Sequence, residues 1–287
     1  MPWHARLDLD YHHDGARSLA RFKHDGPLRV LQSLYPEGPG ICHNVLVHPP
    51  GGLVGGDTLD IRVHASAGSH GLITTPGATR FYRSEGEAAV QHTRVQVDAD
   101  ARLEWLPLEA LCYSGCLAEN RLELDIAPGG EMIGWDVSAF GLPNAHQPFV
   151  KGHLQQHIEW QGLWLERGRI DAADERLLDG PLGLAGNRCL ASLFVLSGTP
   201  FTRARRERLL DLTRDLLPAY EHPTGGSRDD GALPVFAGVT SPQPQVIVLR
   251  ALAPVVEPAV GLLRRVWLAW RHELWQLDAN SPRIWST

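Results

Sequence analysis

The sequence predicts a mainly β protein with two helices in its C-terminal half, and three observations carry that prediction. Short segments of alternating polar and apolar residues recur from about residue 17 to about residue 170. Turn formers stand between them: 29 Gly and 21 Pro in 287 residues suit many tight turns better than long helices. Two late segments instead carry the 3.6-residue period of amphipathic helices.

Taken in order, residues 28–34 alternate roughly. Asn44–His48 is a short apolar run closed by Pro49-Pro50-Gly51-Gly52. Thr58–His64 alternates cleanly, with Leu59, Ile61 and Val63 on one face; residues 93–98 and 121–126 repeat the pattern. The first helix is expected over residues 202–220. Leu209, Leu210, Leu212, Leu216 and Leu217 form its stripe, and Pro218 marks its end. The second is expected over residues 257–275, with Val256, Val260, Leu263, Trp267, Trp270 and Leu274 on one face. Arg264, Arg265, Arg271 and His272 fall mostly off that face. Between the helices, residues 222–232 read as a mobile loop. Residues 245–250 read as one more buried strand that returns to the main sheet. No linker divides the chain, so residues 1–287 are expected to form a single domain.

Composition narrows the function. Hydrophobic residues make up 43 % and charged residues 21 %, ordinary values for a chain that buries a large core. A net charge of −6 argues against nucleic acid as a partner, because phosphate binding needs a basic surface. No apolar run reaches the roughly 18 residues of a spanning helix, and the N-terminal residues carry no signal-peptide core. The expectation is a cytoplasmic protein that does not enter membranes. Cys42, Cys112, Cys116 and Cys189 are too few and too irregular for a disulfide framework.

Candidate chemistry is sparse. His153 and His157 are four residues apart, as in zinc sites on helices, but residues 152–160 alternate with strand period. Both are therefore expected on a solvated face. Cys112 and Cys116 lack the partners of a structural zinc site and read as buried small side chains. Phosphate-binding loops and the Gly-x-Ser-x-Gly elbow are absent. What remains is a set of Gly-rich segments edged with polar groups. The turn from Gly51 and Gly52 to Gly56 ends on Asp57, which either accepts local amide bonds or serves a site. Pro76 and Gly77 form a turn before Thr79, Arg80 and Arg83. Glu104 and Glu109 stand among large apolar groups and need partners, for which Arg80 or Arg83 is available. Trp135-Asp136 has the same ambiguity. A metal-dependent hydrolase using Asp57, Asp136 and nearby His is the alternative reading. It requires those groups to converge on one reacting atom.

Together these segments resemble the UreD/UreH family of urease accessory proteins. The matching blocks are residues 48–57, 74–84, 103–109, 135–141 and 282–285, in order along the chain. The resemblance implies an irregular, β-helix-like stack of sheets carrying two helices. It implies a non-enzymatic maturation factor that binds apo-urease with UreF and UreG and supports nickel delivery. It implies no stably bound cofactor, only a nickel ion in transit. By motif position, the residues of the nickel passage are Asp57, Thr79, Asp136 and Glu166. Gly51, Gly52, Gly56, Pro76, Gly77, Arg83, Glu109 and Trp135 fill the motifs around them. The Trp-rich C-terminal region is expected to anchor a partner.

Overall fold

The computed structural model describes residues 2–217, 233–278 and 280–286. From Cys42 onward the chain passes back and forth between two sheets, laying parallel strands in each. One sheet has 7 strands. In spatial order they are Trp164–Asp171, Gly152–Trp160, Cys116–Ile126, Ala89–Val97, Thr58–Ala65, His4–His13 and Ser18–Asp25. The inner five are mutually parallel, and an antiparallel strand closes each edge. The other sheet has 11 strands. Its parallel part comprises Cys42–Val47, His70–Thr74, Arg102–Leu106 and Glu131–Leu142. The antiparallel strands Cys189–Ser197, Val246–Ala253 and Phe236–Gln243 extend it. The result is the expected β-solenoid-like stack, mainly β with helices in the C-terminal half.

Parallel pairing in register stacks like on like between the sheets. Leu7, Ile61, Thr93, Leu122 and Ile158 form one buried row across five neighbouring strands. Leu9, Val63, Val95, Leu124 and Trp160 form the next. Each large apolar side chain in these rows contributes on the order of 2 kcal/mol by leaving water.

The two long helices cover the outer face of the 11-stranded sheet. The first spans Arg203–Leu216, and the Thr202 hydroxyl caps it by accepting from the Arg205 amide. Its buried residues are Leu209 and Thr213; Leu210, Leu212, Leu216 and Leu217 are half-buried. Pro218 and the loop at 222–232 lie outside the described residues. The second helix spans Val256–Trp275 and buries Val260, Leu263, Trp267 and Trp270, as its period predicts. Its indoles are held from within the molecule. Trp267 Nε1 donates to Glu104 at 2.6 Å, Trp270 to the Thr213 hydroxyl at 2.8 Å, and Trp275 to Glu131 at 2.7 Å.

Several expectations need correction. The tryptophans of this helix fill the protein's own core, so they cannot anchor a partner; Trp267 and Trp270 have no exposed surface. Arg271 does not lie off the apolar face but is fully buried, because Glu37 and Glu104 both meet its guanidinium at 3.0 Å. Residues 28–34 do not make a full strand. Only Arg29–Val30 pairs, Leu31 turns out to solvent at 77 % exposure, and Leu34 rejoins by a single bridge to His43. His157 sits on a strand as expected but is buried, not solvated, closing on Glu159 at 2.8 Å.

Candidate functional site

A third row across the 7-stranded sheet breaks the apolar rule. It begins with Ala5 and Leu59, then continues as Gln91, Asn120 and Gln156 before reaching Gly168. Each amide occupies an inward position of an otherwise alternating strand, and each neighbours the next in register. Gln91 Nε2 donates to Asn120 Oδ1 at 3.3 Å. Asp136, from Glu131–Leu142 of the opposite sheet, points into the row. Its carboxylate accepts from Asn120 Nδ2 at 2.8 Å, Gln156 Nε2 at 2.5 Å and the Ser138 hydroxyl at 3.4 Å. Burial pushes its pKa up to about 6, against the pull of those three donors.

Two cavities adjoin this row and share Thr79, Gln91, Trp105 and Pro107 as wall residues. The inner one, about 20 Å³, is bounded by Asp136, Asn120 and Ala110 and has room for about one water. The outer one, about 200 Å³, is bounded by His48, Gly51, Gly52, Thr75, Pro76, Gly77 and Arg80, of which Pro76, Gly77 and Arg80 are exposed. A Cβ on Gly52 would collide with the Tyr82 ring, so the turn can approach that ring only with glycine there. His48 Nε2 is buried without a hydrogen-bond partner among the described residues, and burial lowers its pKa against the opposing charge of Asp57.

The sequence-predicted residues distribute as follows. Thr79 and Asp136 share the inner cavity. Asp57 is buried two residues before Leu59, at the start of the polar row's flanking strand. Its two oxygens accept from the Trp3 amide at 3.1 Å and the Val54 amide at 2.9 Å, and it lines neither cavity. Gly56, at φ +86°, donates to the Ala88 carbonyl and delivers Asp57 to that position. Glu166 lies beyond the other end of the row, two residues from Gly168. It forms an ion pair with Arg250 of the opposite sheet and accepts from Trp164 Nε1 at 3.2 Å. Asp57 and Asp136 therefore keep separate partners and do not converge as a hydrolytic centre requires.

The surrounding motif residues are structural in contact. Trp135 Nε1 donates to the Pro107 carbonyl at 2.5 Å, and its ring packs on Trp267 and Trp285. The Glu109 carbonyl accepts from the Thr79 amide at 2.9 Å, which sets the position of Thr79. Arg83 is not the partner of Glu104; it is exposed and pairs with Glu85. Glu104, fully buried, is met instead by His70 at 2.9 Å, Arg271 at 3.0 Å and Trp267. Its burial favours the neutral form, but these partners outweigh burial and hold the carboxyl below its ordinary range.

Sequence reasoning missed Gln91, Asn120 and Gln156. Their signal was available: an amide at the inward phase of three strands whose other inward residues are apolar or small.

The Asp136 carboxyl should titrate with a midpoint near 6. A raised folded value means that its contribution to stability is full below the unfolded value of 3.8 and is lost as pH rises through about 6. Carboxyl ¹³C resonances of the wild type and Asp136→Asn would identify this titration. A midpoint near 4 would mean that the Asn120, Gln156 and Ser138 donors cancel the effect of burial on this carboxyl.

Among the described residues, no helix is long and apolar enough to cross a membrane. The sequence model described as UreD urease accessory protein matches residues 4–286. The chain is 67 % identical to the urease accessory protein UreD of Variovorax paradoxus (strain S110), over the whole of both chains. It is 62 % identical to that of Paracidovorax citrulli (strain AAC00-1) and 60 % to that of Polaromonas naphthalenivorans (strain CJ2), again over the full length of each. The chain therefore belongs to the UreD family of urease accessory proteins.

Proposed function

We propose that this chain is a non-catalytic maturation factor that acts in the cytoplasm. It binds apo-urease together with UreF-type and UreG-type partners and gives nickel a route toward the urease active site. The observation that carries this reading is the Gln91–Asn120–Gln156 row meeting Asp136 inside an apolar stack, beside two cavities with common walls. Amide, hydroxyl and carboxylate oxygens are hard ligands, while lasting capture of Ni²⁺ favours imidazole or thiolate. A path of oxygens admits a partly hydrated ion and lets it leave. Thr79 and Asp136 are the central contacts in this scheme. Asp57 acts from the flank beside His48, and Glu166 acts beyond Gln156. Nickel is cargo here, not a resident cofactor.

Asp136→Leu and Thr79→Leu test the reading. Both should leave the complex with urease, UreF-type and UreG-type partners assembled in a pull-down, while urease matured in cells loses most of its nickel and activity. Normal assembly with fully loaded urease would make these residues structural and end the proposal.

A further inference from the structure

One wall of the two cavities is built from residues 75–80 together with Trp105, Pro107 and Leu108. The strands His70–Thr74 and Arg102–Leu106 lead into this wall, and their parallel ladder ends at Thr74 and Leu106. Past that point single hydrogen bonds carry the support that a ladder gives elsewhere. The Thr74 hydroxyl donates to the Leu106 carbonyl at 2.7 Å. The Thr75 hydroxyl accepts from the Leu108 amide at 2.9 Å and donates to the Gly77 carbonyl at 2.9 Å.

Trp285 reaches the same wall from the helix-covered face of the sheet. It stands in the short helical turn Arg283–Ser286 and lines neither cavity. Its ring lies 5.2 Å from that of Trp135 and 5.3 Å from that of Trp267, with the Arg264 guanidinium 4.7 Å from its centroid. Held in this way, its Nε1 donates to the Thr74 hydroxyl at 2.7 Å. Trp135, on which it packs, donates in turn to the Pro107 carbonyl. One contact therefore fixes the residue that precedes 75–80, and the other fixes the passage at Pro107. Thr74 is buried, so solvent offers its hydroxyl no ready replacement.

We propose that Trp285 is a positioning residue for the nickel path, acting through Thr74 and Trp135 to fix the wall beside Thr79. The inference rests on the reading of the two cavities as that path. Thr79 and Pro107 belong to both cavities, so the wall they form is where one opens toward the other. The inner cavity holds about one water, and a wall that shifts by a fraction of that diameter decides whether an ion passes. The other indoles of this layer end elsewhere. Trp267 and Trp270 donate to Glu104 and Thr213, neither of which lines a cavity, and their role is packing.

Trp285→Phe keeps a ring and loses the donor, and Thr74→Val loses the acceptor. In both full-length variants the side-chain amide resonances of Gln91 and Asn120 and the carboxyl resonance of Asp136 should shift. Leu209→Ala, a control buried under the Arg203–Leu216 helix, should lose stability and leave those signals in place. Both variants should still assemble with urease, UreF-type and UreG-type partners. Urease matured with them at limiting nickel should contain about 2- to 10-fold less of the metal, the worth of one hydrogen bond. The double variant should be no worse than Thr74→Val, since both changes remove the same contact. Unmoved amide and carboxyl signals in both variants, or a nickel loss that Leu209→Ala reproduces, would overturn the proposal. So would fully loaded urease with Trp285→Phe where Asp136→Leu blocks loading. Full loading with Asp136→Leu is a separate failure, that of the path itself.

Discussion

Trp267→Asp should destabilise the fold by about 5 kcal/mol or more, enough to unfold a marginally stable domain. The indole is fully enclosed between the Val256–Trp275 helix and the 11-stranded sheet, edge-on to Trp135 and Trp285. Truncation to a small side chain leaves a cavity lined by those rings, which alone costs about 3–5 kcal/mol. The new carboxylate would then face Glu104, from which the Trp267 Nε1–H donor at 2.6 Å has been removed. Two carboxylates would compete for Arg271 and His70 in a site closed off from the surface. Trp267→Phe separates the contributions, since it keeps most of the packing and loses only the donor, at about 1–3 kcal/mol. Chemical denaturation of the three proteins at pH 7 reads both differences. An unchanged midpoint for Trp267→Asp would mean that this helix does not pack as described.

How much of this was legible in sequence depends on what each residue answers to. Thr58–Ala65 could be read because both its pairing and its burial are set by period two. Leu59, Ile61 and Val63 are buried as their phase requires. The Val256–Trp275 helix could be read because its apolar face is wide and unbroken. Arg271 was misread for a general reason. Periodicity assigns a charge to solvent, whereas here Glu37 and Glu104 arrive from segments 234 and 167 residues away to neutralise it. Nothing local to the helix announces either partner. Gln91, Asn120 and Gln156 were legible singly as inward amides, but their meeting depends on strand register, which parallel crossovers fix only in three dimensions. Thr79 and Asp136 were placed by family resemblance alone, and the fold supplies the physical reason for their proximity. Asp57 and Glu166 came from the same resemblance, and their contacts are with backbone amides and Arg250.

The second large effect is expected from Arg271→Met, at about 3–5 kcal/mol of lost stability at pH 7. Methionine fills most of the volume, so the loss reports charge more than packing. Among the described residues, Arg271 alone meets both carboxylates, that of fully buried Glu104 and that of half-buried Glu37. Glu37 approaches at 3.0 Å and Glu104 at 3.0 Å, while His43 supports Glu37 and His70 supports Glu104. In the wild type, burial alone would raise both carboxyl values, yet the partners lower them below the ordinary 4.5. Groups with lowered folded values contribute stability that is present above the unfolded value and lost as pH falls through the folded one. Without the guanidinium, burial gains the upper hand and both values move upward. The variant should then recover as the carboxyls take up protons, so its deficit should be largest near pH 7 and narrow toward pH 5. His70 works in the same direction. It is held neutral mainly by burial, with Arg271 adding repulsion, and loss of that repulsion lets it protonate and pair with Glu104. Denaturation curves at pH 7 and pH 5 decide the matter. A deficit of equal size at both would show that Arg271 stabilises the helix by packing and that the charge network is incidental to it.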